Sequence, residues 1–170
     1  FCHFGDDCEF FCDCYIETGC TFGHDCNFDD KCIFRSGCRF GENCVFGVAC
    51  VFGVACGFGR YSQFARHCTF SLECGFGDDY TFGKGCICEF GEFDKMISCN
   101  GFGSAGAVIY FFHLTDGEIY VRCGYFHGNL DEWVERVSKT YKETHLGSVY
   151  LALIPAIKEQ FCVNWFEIAR

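Results

Sequence analysis

Eighteen cysteines and six histidines are the side chains of this sequence best suited to chemistry. A thiolate attacks electrophiles, binds soft metals or pairs as a disulfide, and an imidazole binds metals or carries a proton. The spacing argues against these uses. The usual metal-binding spacing, Cys-x-x-Cys, does not occur, and Cys12-x-Cys14 and Cys86-x-Cys88 are weak substitutes. His3, His24 and His67 fall at unrelated places in the register described below. His113, His127, His145 and Cys123 stand nearer one another, but no motif joins them. No phosphate loop, nucleophile elbow or paired-carboxylate motif appears. The expectation is a chain without catalytic residues, metal ligands or cofactor.

The cysteines belong instead to a repeat. Phe recurs every six residues from Phe4 to Phe82, with Ile16 as the one conservative break. Two residues before each stands a small residue, usually Cys. The exceptions are Ser62 and the bulky Tyr80. Gly often follows the Phe, as at Gly5, Gly23, Gly41, Gly59 and Gly77. In the unit Cys-x-Phe-Gly-x-x, Cys and Phe lie two apart and so share one face of a short strand. The Gly is expected to let the chain turn a corner. One such side buries nothing alone, so the sides must be wound into coils and the coils stacked.

This pattern resembles the hexapeptide repeat of left-handed β-helix proteins, with Phe where that family carries an aliphatic residue. The resemblance covers residues 1–87 almost without slip; at Cys86-Ile87-Cys88 a shift of two is expected to reset the phase to Phe90, Met96 and Phe102. It implies triangular coils with a period of 18. The strict Gly column at positions 5, 23, 41, 59 and 77 gives that period independently. Pentapeptide-repeat helices use a similar small-x-Phe pattern, but their period is five. The fold class expected is therefore mainly β: a left-handed parallel β-helix of 18-residue triangular coils over 1–103, then a small α+β C-terminal cap over 104–170.

Most cysteines occupy the small inward position, where they would form ladders such as Cys2, Cys20, Cys38, Cys56 and Cys74. Parallel Cβ vectors at strand spacing fit disulfide geometry poorly. They are expected to be buried, reduced thiols, which suits a cytoplasmic protein.

The residue between Cys and Phe points outward. One such column reads Tyr15, Ile33, Val51, Thr69 and Ile87, with Val48 and Val54 at the adjoining corners, and is the candidate contact face. Another corner is acidic: Asp6, Asp7, Asp25, Glu42, Asp78 and Asp79, interrupted by Arg60-Tyr61. With a net charge of −10, the chain is not suited to binding nucleic acid directly. A negative stripe on a rod could instead imitate a nucleic-acid duplex towards a basic DNA-binding protein, by analogy with pentapeptide-repeat mimics.

After about Ala105 the repeat stops. Ala107–Thr115 and Glu118–Phe126 read as a β-hairpin around Asp116-Gly117. Asn129 and Glu132 make a capping box. Leu130, Trp133, Val134, Val137 and Tyr141 supply the apolar stripe of the helix that follows. A second helix over about 147–161 is expected to kink or restart at Pro155, with a last strand over 162–168. This hairpin-helix pattern is loosely similar to cap segments of phage and bacterial hexapeptide-repeat proteins. The longest apolar run, Ala107–Phe112, is too short to span a membrane. No targeting segment is visible. Phe1 lies inside a repeat and is not Met, so the natural start is expected to lie upstream.

Three functions follow as expectations. The first is a non-enzymatic, rigid β-solenoid in protein–protein interaction or assembly, by self-association or with a protein partner, in the cytoplasm or within a phage or bacterial assembly. The second is an acidic DNA-mimic inhibitor. The third, implied by the family resemblance, is a trimeric acyltransferase with a His in a groove between subunits. No loop leaves the coils to build such a groove.

Overall fold

The computed structural model describes residues 1–102 and 107–162. The chain divides into two compact units, Phe1–Asp94 and Lys95–Arg170.

The first unit is a β-solenoid of about five coils. Its strands are two residues long and recur every six: β1 (His3–Phe4), β2 (Glu9–Phe10), β3 (Tyr15–Ile16), and onward to β14 (Thr81–Phe82), with β15 (Cys86–Cys88) one residue longer. Each strand pairs in parallel with the strand 18 residues away. His3 sits beside Thr21, Glu9 beside Asn27 and Tyr15 beside Ile33. Three stacked sheets result, the sides of a triangular coil.

The core is a lattice of phenylalanine rings. Along each side the rings stack nearly parallel: Phe22, Phe40 and Phe58 lie with centroids 5.0 and 5.1 Å apart. Between sides they meet edge to face, as Phe46 meets Phe52 at 5.0 Å and 90°. Both arrangements suit the ring quadrupole. Beside the rings, eleven cysteines are buried, and all 18 thiols of the chain are free. The thiols also bond. Cys38 donates to the carbonyl of Glu17, Cys56 to Arg35 and Cys68 to Gly47, each at 3.3–3.4 Å and each 21 residues back. Those carbonyls sit at the corner of the neighbouring coil. Ser62, also buried, keeps the donor and turns it to Gly59 of its own coil at 3.0 Å. The repeat therefore calls for a side chain that is both small and a donor.

The corners turn differently from the sequence expectation. Gly5, Gly23, Gly41, Gly59 and Gly77 do not have positive φ. The left-handed conformation falls two residues later: fourteen residues spaced by six, from Asp7 to Gly85, have φ between 55° and 75°. Eleven of them are not glycine, among them Lys31, Ala49, Tyr61 and Glu73. Those from Asp7 to His67 are held by stacking, each amide donating to a carbonyl of the next coil, as Asp25 donates to Glu42 at 2.9 Å. The glycine after the Phe answers to close approach instead. A Cβ at Gly41 would lie 2.5 Å from the carbonyl oxygen of Gly23, and one at Gly59 2.4 Å from that of Gly41.

The parallel coils end at β15. The chain reverses there into β16 (Gly91–Phe102), which pairs with β15 antiparallel, Cys88 beside Gly91 and Cys86 beside Phe93. The expected phase reset to Phe90, Met96 and Phe102 is therefore replaced by a hairpin. Phe90 and Met96 are half-buried, whereas Phe93 is fully buried against Phe82 at 5.0 Å.

In the second unit, β17 (Ala107–Leu114) and β18 (Ile119–Cys123) form the expected hairpin, with Gly117 at φ 92°. The strand expected over Glu118–Phe126 stops at Cys123, and a further strand that the sequence did not announce follows: β19 (Phe126–Asn129) turns back antiparallel to β18 past Gly124 at φ 57°. Asn129 and Glu132 form the capping box of α1 (Leu130–Thr140). The second helix, α2 (His145–Cys162), runs through Pro155 without restarting. Proline costs one backbone bond there, while Tyr150, Ile157 and Phe161 anchor both halves of α2 in one core with Phe111, Val121, Trp133 and Val137. The last strand expected over 162–168 lies outside the described residues, apart from Cys162, which ends α2.

Candidate functional site

The outward column forms as the 18-residue period requires. Tyr15, Ile33, Val51, Thr69 and Ile87 are successive register partners on β3, β6 (Ile33–Phe34), β9 (Val51–Phe52), β12 (Thr69–Phe70) and β15. Their backbones are held by the coil, and their inward neighbours are locked among the rings. The side chains are not covered: Tyr15 is 53% exposed, Ile33 42%, Val51 38% and Ile87 43%, while Thr69 is half-buried. At the corners, Val54 is exposed and Val48 half-buried. Leu72, 51% exposed one coil above Val54, extends the same patch. The sequence reading missed Leu72, although its position 18 after Val54 was the signal. An apolar strip on a rigid sheet, with no side chain poised for bond making, suits contact with another apolar surface.

The acidic corner is less uniform than its sequence suggests. Its first column reads Asp6, His24, Glu42, Arg60, Asp78, and these residues interact along the stack. Asp6 Oδ1 accepts the His24 amide at 2.7 Å, His24 Nδ1 accepts the Glu42 amide at 3.0 Å, and Arg60 pairs with Asp78 at 3.1 Å. Asp7, Asp25 and Asp79 occupy the left-handed column beside it and are exposed.

The nucleophile candidates are placed unfavourably for catalysis. Burial pushes the Cys32 and Cys44 thiols up to about 12, far from a thiolate at neutral pH. Cys12 is exposed, but its thiol donates to the Asp29 carboxylate at 3.1 Å, which also raises its pKa. His3 bonds Thr21 on a solenoid side, His67 is exposed at another corner, and His113 packs on the Phe161 ring at 5.2 Å. His127 and His145 are exposed elsewhere in the second unit. Among the described residues no group of three His, Cys, Asp or Glu gathers as metal ligands.

The second unit holds a cavity of about 200 Å³ walled by Cys123, Phe126, Trp133, Arg136, Tyr141 and Tyr150 among others. Burial raises the Cys123 thiol, so it is a poor nucleophile there. Sequence reading took Trp133 and Tyr141 for a core stripe; the cavity depends on the turn before β19, which no periodicity announces. Among the described residues no helix is long and apolar enough to cross a membrane.

The fold thus defines a β-solenoid of stacked 18-residue coils joined to a unit with a sheet and two helices. No family model, curated protein or solved structure matches the chain.

Proposed function

We propose that this protein is a non-enzymatic, rigid β-solenoid that works by protein–protein contact through the face of Tyr15, Ile33, Val51, Thr69 and Ile87, with Val48 and Val54 at its margins. The observation that carries this reading is a column of exposed, mostly apolar side chains in strict register on stacked parallel strands. Membership of the left-handed hexapeptide-repeat proteins, and a setting in the cytoplasm or in a phage or bacterial assembly, belong to the same proposal. The first rests on the Cys-x-Phe-Gly-x-x repeat, the cytoplasmic setting on the free thiols, and the phage or bacterial setting on the hairpin-helix pattern after the repeat and on the apolar face.

The test compares what wild-type protein and two variants retain from a source lysate. Val51→Lys puts a charge in the middle of the face, and Arg39→Glu alters a different side. Proteins held by wild type and Arg39→Glu but lost with Val51→Lys support the reading; binding indifferent to Val51→Lys overturns it.

The duplex-mimic reading draws on Asp7, Asp25 and Asp79, exposed in one column. The alternation of Asp6, His24, Glu42, Arg60 and Asp78 beside them weakens a continuous negative stripe. The trimeric acyltransferase reading needs a His in a groove between subunits, and no observation favours one of the six.

A further inference from the structure

In the second unit, Trp133, Arg136, Val137 and Thr140 stand three, four and seven residues apart on α1 and so share one face of the helix. All four line the cavity of about 200 Å³. Its lining grades from a closed end to an open one. Trp133, Val137 and Tyr150 are buried, Cys123, Phe126 and Tyr141 half-buried, and Arg136 and Thr140 exposed. The closed end is aromatic: Trp133 meets Tyr150 edge-on at 5.7 Å, and Tyr150 meets Tyr141 at 5.5 Å.

The polar groups of this lining are of one kind. It includes no Asp or Glu, and Arg136 brings its one formal charge. The guanidinium lies over the Phe126 ring at 5.8 Å, and no ion pair engages it among the described residues. The Tyr150 hydroxyl feels the Cys123 thiol and the Tyr141 hydroxyl, so these three groups lie near one another. Burial raises Cys123 and Tyr150, which keeps both protonated at neutral pH. A shallower recess shares Phe126, Arg136 and Thr140 with the cavity and adds two acids, both already engaged. Glu135 pairs with Lys139 at 2.6 Å, and Glu132 accepts the Asn129 amide at 3.0 Å.

We infer that this cavity binds a small carboxylate carried on an apolar ring, with the ring among Trp133, Tyr150 and Tyr141 and the carboxylate at Arg136. Size sets the ring. An apolar cavity of about 150 Å³ admits benzene, so this one has room for a single ring and a short acid arm. Chemistry sets the acid. The planar guanidinium offers paired donors that match a carboxylate, and no lining acid repels one. An amine on the same ring would meet the like charge of Arg136, and a neutral ring would leave the guanidinium without a partner. The inference is independent of the contact face, which belongs to the other unit and to different residues.

The test is a titration of the nitrogen-15-labelled full chain with phenylacetate, followed by nuclear magnetic resonance under reducing conditions because Cys2, Cys12 and Cys162 are exposed. Trp133 and Trp165 are the two tryptophans, and Trp165→Phe assigns the Trp133 indole signal by subtraction. Phenylacetate should move that signal with a Kd of about 1 mM or below, as a ligand of this size allows. Benzyl alcohol and benzylamine, which keep the ring and replace the acid, should bind at least about tenfold more weakly. Arg136→Gln should weaken phenylacetate about tenfold and leave benzyl alcohol unchanged, which shows that the cavity is still formed. Lys142→Gln removes an exposed cation from outside the cavity and should change nothing. No shift of the Trp133 signal up to 20-fold above that Kd overturns the site. Equal binding of benzyl alcohol or benzylamine overturns the carboxylate, as does phenylacetate binding indifferent to Arg136→Gln. An equal loss in Lys142→Gln also overturns it, since net charge alone would then account for the effect.

Discussion

The thiol of Cys56 donates across 3.4 Å to the carbonyl of Arg35, one coil below and 21 residues earlier. The same relationship recurs at Cys32, Cys38, Cys50, Cys68, Cys74 and Cys86. It explains why the inward small position is Cys and not Ala: the corner carbonyl would otherwise be buried with less satisfaction. Cys56→Ala is expected to cost about 1–3 kcal/mol, the range for an unsatisfied buried polar group. Cys56→Ser should cost less, since Ser62 already serves at an equivalent position. Equilibrium urea unfolding measures both, and equal losses would show that packing alone sets the choice.

Phe46 stacks on Phe28 at 5.0 Å and Phe64 at 4.9 Å, and meets Phe40 and Phe52 edge-on. Phe46→Ala should therefore destabilise the solenoid by about 3–5 kcal/mol, the range for an aromatic-to-alanine change in a core. Little change in the unfolding midpoint would argue against the ring lattice as the source of stability.

Gly37 and Ala55 occupy one left-handed column, with φ of 72° and 58°. A Cβ at Gly37 would meet nothing within 4 Å, so Gly37→Ala tests backbone strain without a clash. It should lose about 1 kcal/mol, and Ala55→Gly should gain up to about 1 kcal/mol. Thermal unfolding of the pair reads the opposite signs.

Stability should fall at alkaline pH. Burial raises Cys32 and Cys44 from 9.0 to about 12. A group whose folded pKa is raised contributes its stability fully below the unfolded value. That contribution declines as pH rises from about 9 towards 12, because the unfolded chain ionises its thiols and the folded one does not. The unfolding temperature should be insensitive to these thiols between pH 6 and 8 and drop steeply above 9. A flat profile through pH 11 would contradict their burial.

If the acidic corner imitates a duplex, replacing Asp7, Asp25 and Glu42 by the matching amides should leave the unfolding midpoint nearly unchanged and abolish binding of a basic partner. Retained, salt-sensitive binding measured by calorimetry would remove that reading.

The solenoid was legible because Phe46 and its equivalents do one job each at a fixed step of six, and the outward column of Tyr15 to Ile87 followed from the same count. The left-handed column was not legible. Asp7, Lys31, Ala49 and Tyr61 share no side-chain property, since the constraint there falls on the backbone and is imposed by the coils on either side. The strict glycines misled for a related reason: Gly41 marks the approach of Gly23, not a turn. The reversal at Cys88–Gly91 hid because Phe90, Met96 and Phe102 resume a step of six after a shift of two, while Phe93, outside that step, is the ring that enters the core. Continuity through Pro155 depends on Tyr150 and Phe161 sharing one core, which no local pattern in α2 records.

Because Gly57 stands directly over Arg39 and Phe58 over Phe40, excising Cys38–Ala55 would join Gly37 to Cys56, a residue already standing in the column that Cys38 leaves. The shortened molecule would keep every remaining side chain on its own wall. Removing only six residues would rotate all that follows by one wall and scatter the apolar strip. Length in this architecture is therefore counted in whole storeys, and a storey can be added or lost without redesigning the ones around it.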